Sequence, residues 1–233
     1  MSTGEYREGD TDRSQSPQGI SGRTILIVGL VLVAVGAFVV VHALGSGLKL
    51  PPAAAQDIPA SVSTNVPFAP NPASVAAPLA ASTPMTIEIP AIKVDAPVTT
   101  LGLNANGTVQ VPPLNNHNLA GWYDRSVMPG AKGTSVILGH VDDYAGPSVF
   151  FNIKNLHKGD AIYVIRADGT TAGFSVDGVQ KATKTHFPTA AVFDNVPYPA
   201  LRLVTCGGPF DSNTGEYLDS IVVYAHLVGL AAK

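Results

Sequence analysis

Two side chains in this sequence combine reactive chemistry with the same local setting. Cys206 is the only cysteine among 233 residues. It follows the apolar run Leu201-Arg202-Leu203-Val204-Thr205 and precedes Gly207-Gly208. That pattern reads as a buried strand ending at a turn, with a thiol at its C-terminal edge. A lone cysteine forms no internal disulfide, so reactivity is one reason for its presence; the other is that cysteine packs as a small hydrophobe. Of the six histidines, His117, His157 and His186 lie in polar loops, His226 alternates with Tyr224 near the end of the last strand, and His42 falls in a long apolar run. Only His140 repeats the Cys206 setting, closing the strand Ser135-Val136-Ile137-Leu138 after Gly139. Taken alone, His140 also fits a structural histidine. If the two strands lie on one sheet, the pair can meet across one face. An imidazolium beside a thiol favours the thiolate, and acyl transfer needs a group that exchanges protons near neutrality.

What must position the pair is a series of short strands. Thr86-Ile87-Glu88-Ile89 alternates and stops at Pro90. Val94 to Leu103 is apolar with Pro97 inside, which reads as an edge strand or two short pieces. Thr108 to Val111 follows the turn Asn104-Ala105-Asn106-Gly107. Val149 to Ile153 reads as a helical turn continuing to Leu156. Ala161 to Arg166 and Thr171 to Thr183 flank Ala167-Asp168-Gly169 and predict a hairpin. Leu201 to Thr205 and Ile221 to Val228 complete the set. No stretch between Met85 and Val228 has helical periodicity beyond a turn or two, and nothing repeats. The predicted class is all-β, a barrel or a sandwich.

Composition restricts the setting. Charged residues make up 13% and the net charge is −3, so no basic excess points to nucleic acid. Residues 1–22 are polar with mixed charges and are expected to form a disordered cytoplasmic tail. Residues 23–44 hold Arg23 and the apolar run Thr24 to Leu44. A membrane helix needs roughly 20 such residues, whereas the apolar core of a cleavable signal has about 7–15. An uncleaved signal anchor is therefore expected, although Ala53-Ala54-Ala55 also fits a cleavage site. Arg13 and Arg23 before the span, against Lys49 after it, place the N-terminus in the cytoplasm and the bulk of the chain outside. Residues 45–84, rich in Pro and Ala, predict a semi-extended stalk carrying a domain over 85–233. Asp142, Asp143 and Asp160 lack the spacing of a calcium loop, and Gly207-Gly208 lacks the residues of a phosphate loop. No metal or cofactor is called for.

The ordered motifs carry a family resemblance. Leu203-Val204-Thr205-Cys206, with the later strand Ile221-Val222-Val223-Tyr224-Ala225, resembles the TLxTC signature and closing strand of sortases. Val136-Ile137-Leu138-Gly139-His140-Val141-Asp142 is similar to their Gly-His segment. Gly121-Trp122-Tyr123, Pro129-Gly130, Gly146-Pro147, Phe150-Phe151, Gly159-Asp160, Phe187-Pro188-Thr189 and Cys206-Gly207-Gly208-Pro209-Phe210-Asp211 resemble the class F, or class E/F, sortases of high-GC Gram-positive bacteria. The match runs from about Met85 to Val228. The resemblance implies a closed eight-stranded β-barrel with short helical turns, preceded by one transmembrane helix and a Pro-rich stalk. It implies a cysteine transpeptidase at the cell membrane that cuts an LPxTG-like sorting signal of secreted proteins between Thr and Gly. Cys206 would form the thioacyl enzyme. His140 would protonate the leaving amine and then deprotonate the incoming one, from a cell-wall precursor or another amine acceptor.

One departure stands out. Sortases carry an arginine on the closing strand, and this chain has none after Arg202. Aligned closing strands put Ser220 or Asp219 at that place. Arg125 is the first candidate to replace the missing charge and Arg202 the second. Alternatively, backbone N–H groups with Thr205 or Ser220 suffice, or the enzyme is impaired. The expected arrangement has Ser220 facing the groove, Asp219 pointing to solvent and Arg125 supplying the guanidinium. Two other readings stand beside this one: a catalytically weakened barrel that binds sorting peptides or cell-wall partners, and a cell-wall L,D-transpeptidase, whose usual Ser-His-Gly is absent here.

Overall fold

The computed structural model describes residues 66–231. The predicted tail over 1–22, the apolar span over 23–44 and most of the stalk lie outside them. Among the described residues no helix is long and apolar enough to cross a membrane.

Eight strands close into a barrel: β1 (Pro84–Ile89), β2 (Val94–Leu101), β3 (Ala120–Tyr123), β4 (Gly133–Gly139), β7 (Ala161–Arg166), β8 (Thr171–Thr183), β9 (Pro199–Asp211) and β10 (Glu216–Leu230). Their order around the wall is β1-β2-β3-β4-β9-β10-β8-β7, and β7 pairs back onto β1. The pairings β2–β3 and β4–β9 are parallel; the other six are antiparallel. A small hairpin, β5 (Asp142–Asp143) with β6 (Gly146–Pro147), stands apart from the wall. Among the described residues the helical pieces are one short helix, α1 (Thr189–Phe193), and 3₁₀ turns such as Ile153–Asn155, which falls within the predicted turn.

The expected closed barrel of eight strands is the one observed, with local differences. Pro97 does not mark an edge: β2 pairs with β1 as far as Pro97 and with β3 from Val98, so the residue without an N–H sits where one partner hands over to the other. The strand predicted at Thr108–Val111 is a loop with a single bridge, Leu103 to Val109. Side chains hold that loop instead, with Asn104 donating to the Thr108 hydroxyl and Gln110 accepting from the Gly102 N–H. The eighth strand is β3, whose four residues are all buried and so show no alternation. Nor does β9 stop at Cys206; it runs on to Asp211 beside β10. Gly208, at φ +75°, makes the bulge that lets the strand bend and continue.

The described part of the predicted stalk is no free spacer. Phe68 lies against Tyr224 with ring centroids 5.5 Å apart. The Ala76 N–H donates to Leu227 and the Leu79 N–H to Gly130, and Arg166 donates to the Ala80 carbonyl. Residues 66–83 are therefore a strap on the barrel, and the domain begins earlier than position 85. Proline-rich composition predicts extended backbone, but not whether that backbone has a surface to lie on.

Two apolar layers cover the strands. The larger draws residues from every wall strand, including Ile87, Ile137, Leu203 and Val223, and fills the barrel. The smaller lies outside, where Val136, Leu138, Val204, Val222 and Tyr224 pack under the 102–119 loop, α1 and Phe68. Both faces of β4 are thus buried along its whole length.

Candidate active site

Strand parity decides which side chains share a face. Along β4, Val136 and Leu138 point outward and Ile137 inward; along β9, Val204 points outward and Leu203 inward. Continuing each series by two residues puts His140 and Cys206 on the outer face. The parallel register pairs Leu138 with Val204, so the same step brings His140 alongside Cys206. Gly139 suits this crowded point: a Cβ there would meet the Phe150 ring at 2.6 Å. The Phe150 N–H in turn donates to the His140 carbonyl at 3.0 Å.

Both side chains line one outer groove with a cavity of about 470 Å³. Val111, Leu114, Tyr144 and Phe210 give it apolar walls, and Asp142, Asp143, Glu216 and Lys184 supply charge. A second cavity of about 110 Å³ reaches Cys206 from the barrel side, past Thr205, Phe150 and Tyr217. His140 Nε2 lies 2.6 Å from the Pro112 carbonyl. A carbonyl only accepts, so Nε2 carries the hydrogen, and Nδ1 is the nitrogen left to exchange a proton. The Tyr217 hydroxyl donates to Asp142, which ties β10 to the small hairpin and pushes the phenol up to about 12. Burial holds the Cys206 thiol above its ordinary 9.0; Lys184 opposes the rise, while Glu216 and Asp142 add to it.

The other expected residues are placed as follows. Thr205 and Ser220 are buried, and neither hydroxyl has a partner among the described residues. Thr205 borders the small cavity. Ser220 pairs directly with Cys206 across β9–β10, but it lines neither cavity. Asp219 does not point to solvent: it is 5% exposed, packs against Gly208 and lies 3.4 Å from Lys181. Arg125 is exposed and lines neither cavity. It follows β3, and its neighbours Ser126 and Val127 bond to Val136 and Thr134 at the start of β4. His140 directly follows that strand, so the two lie roughly 13–20 Å apart at about 3.3 Å per residue. Arg202 pairs with Val136, four residues back from Cys206. It is buried, donating to the Ala191 and Leu201 carbonyls with its guanidinium over the Tyr224 ring. Neither arginine is brought to the groove.

Lys184, Glu216, Tyr217 and Phe210 are the groove residues that sequence reasoning missed. Lys184 shows no local signal, because its place depends on pairing between strands distant in the chain. His226 lies far from the groove. Its Nδ1 is 2.8 Å from Asp177 and its Nε2 3.0 Å from the Ser74 hydroxyl, a chain of contacts from the barrel to the strap.

Among solved structures, sortase A from Corynebacterium diphtheriae is similar at 24% identity and a TM-score of 0.49, over 65% of this chain and 64% of that one. Sortase C-1 from Actinomyces oris is similar at 23% identity and 0.48, over 62% and 73%. Sortase A from Listeria monocytogenes is similar at 19% and 0.48, over 64% and 89%. No curated protein sequence matches the chain. The family pattern described as "Sortase domain" matches residues 87–228, well over half the chain. On that match, this chain belongs to the sortase family.

Proposed function

We propose that this chain is a membrane-anchored cysteine transpeptidase of the class E/F sortase kind. It would cut an LPxTG-like sorting signal and pass the acyl part to an amine of a cell-wall precursor or other acceptor. The observation that carries the reading is the shared groove, in which the β4–β9 register sets His140 beside Cys206. The thiolate sulfur adds to the threonine carbonyl carbon, and the carbonyl π electrons move to oxygen. Collapse of that oxyanion breaks the C–N bond, and the leaving glycine amine takes a proton from His140. The acceptor amine then gives a proton to His140, bonds to the carbonyl carbon of the thioester and expels the thiolate. The apolar wall of Val111, Leu114, Tyr144 and Phe210 suits the leucine and proline of such a signal. Residues 23–44 would anchor the chain once through the membrane, with the N-terminus in the cytoplasm and the barrel outside.

The second reading, a weakened barrel that binds sorting peptides, has its own support in the half-buried thiol, held above its ordinary value, and the carboxylates around it. Mass spectrometry of the full-length chain in detergent, incubated with a panel of LPxTG-like peptides, separates the two. Acyl transfer gives an adduct on Cys206 that Cys206→Ala abolishes and His140→Ala slows by about 10²–10⁴-fold. Peptide binding without an adduct would leave the weakened barrel standing.

A further inference from the structure

We propose that Lys184 is a catalytic residue, the cation that faces the negative charge formed during acyl transfer at Cys206. The inference rests on the reading of Cys206 as the nucleophile. Addition to a carbonyl places a full charge on its oxygen, and a partly dry groove must offset that charge with donors already in place. Besides His140, whose proton goes to the leaving amine, the other charged groups lining the cavity, Asp142, Asp143 and Glu216, are carboxylates and repel it. Lys184 is the one lysine or arginine among the described residues that lines the cavity holding both Cys206 and His140.

Strand register explains how it gets there. Cys206 pairs with Ser220 on β10, and Ser220 pairs with Ala182 on β8. That row crosses about 10 Å of the outer face at the usual strand spacing. Its last two members, Ser220 and Ala182, are small, so neither side chain reaches along the row toward the next outward position. Lys184 is that position, two residues beyond Ala182 and just past the end of β8. Its ammonium lies 3.3 Å from Glu216, which lines the same cavity, and its side chain is 26% exposed. The lysine is thus held at the groove wall while keeping contact with water. Lys154 borders the smaller cavity instead, and its ammonium sits over the Phe151 ring at 5.2 Å.

Replacing Lys184 alone would also free the Glu216 carboxylate, so the test uses a Glu216→Gln background. Full-length Glu216→Gln, Glu216→Gln/Lys184→Met and Glu216→Gln/Lys184→Arg are compared by the rate of acyl-adduct formation with a sorting peptide. They are also compared by the rate of Cys206 alkylation with iodoacetamide from pH 6 to 10. Methionine should slow acylation about 10²–10³-fold, and arginine should recover part of the loss. The alkylation profile should move to higher pH with methionine and return with arginine, a readout that a packing role for the side chain would not move. Acylation by the methionine variant at the rate of its background overturns the proposal, as does an alkylation profile that Lys184→Met leaves in place. Failure of every form, wild type included, to take an acyl group brings down the acyl-transfer reading itself; the alkylation profiles would then still report on Lys184 separately.

Discussion

The Cys206 thiol rests in surroundings that favour its neutral form. Burial disfavours the thiolate, and Glu216 and Asp142 repel it. The reactive fraction should therefore be small at neutral pH and grow as pH rises. Iodoacetamide alkylation of the wild-type chain is expected to quicken steadily from pH 7 to pH 9 without levelling off; a plateau near pH 7 would contradict the buried environment. Cys206 and His140 stood out in the sequence because each follows an apolar, β-branched run beside glycine, although β9 itself runs on past Cys206. Ser220, expected to face the groove, pairs with Cys206 across β9–β10 but lines neither cavity. Arg125 was misplaced for a physical reason: without β3 recognised as a strand antiparallel to β4, the sequence did not show that the loop holding Arg125 lies at the start of β4, away from His140. Lys184 was invisible because two successive strand pairings are needed to carry it to the groove.

At the level of elements, the continuation of β9 past Cys206 is what reshaped the expected site. Gly207-Gly208-Pro209 reads locally as a turn, yet β10 pairs with the residues on both sides of it. Gly208 meets two demands at once. Its φ is +75°, and a Cβ would come within 2.1 Å of the Asp219 carboxylate, itself paired with Lys181. Gly208→Ala should cost roughly 2 kcal/mol from the left-handed backbone and the displaced carboxylate together. Urea denaturation would show this as a lower midpoint at unchanged slope. An unchanged midpoint would mean that the bulge relaxes without difficulty. The β7–β8 hairpin, in contrast, was readable outright, since two alternating runs flank a short Asp-Gly turn.

Across the whole molecule, the strap extends the domain beyond what composition foretold. Proline and alanine report an extended chain; the partners that hold it, Leu227, Gly130 and Arg166, come from widely separated parts of the barrel. Its best-defined clasp is the contact from Ser74 through buried His226 to buried Asp177. His226→Ala would leave Asp177 buried without its main partner, at a cost of about 3 kcal/mol. For a domain of this size, the Tm should drop on the order of 10 °C. Limited proteolysis should at the same time find new cleavage within residues 66–83, while Ser74→Ala, which removes only the exposed end of the chain, should change far less. Parallel pairing of β4 with β9 has a kinetic consequence. It joins segments separated by everything from β5 to β8, and such non-local ladders form slowly because a long loop must close first. A chain with every hairpin folded but this ladder open would keep His140 and Cys206 apart and lack the groove they share. That groove should therefore form with closure of the barrel, as one late event.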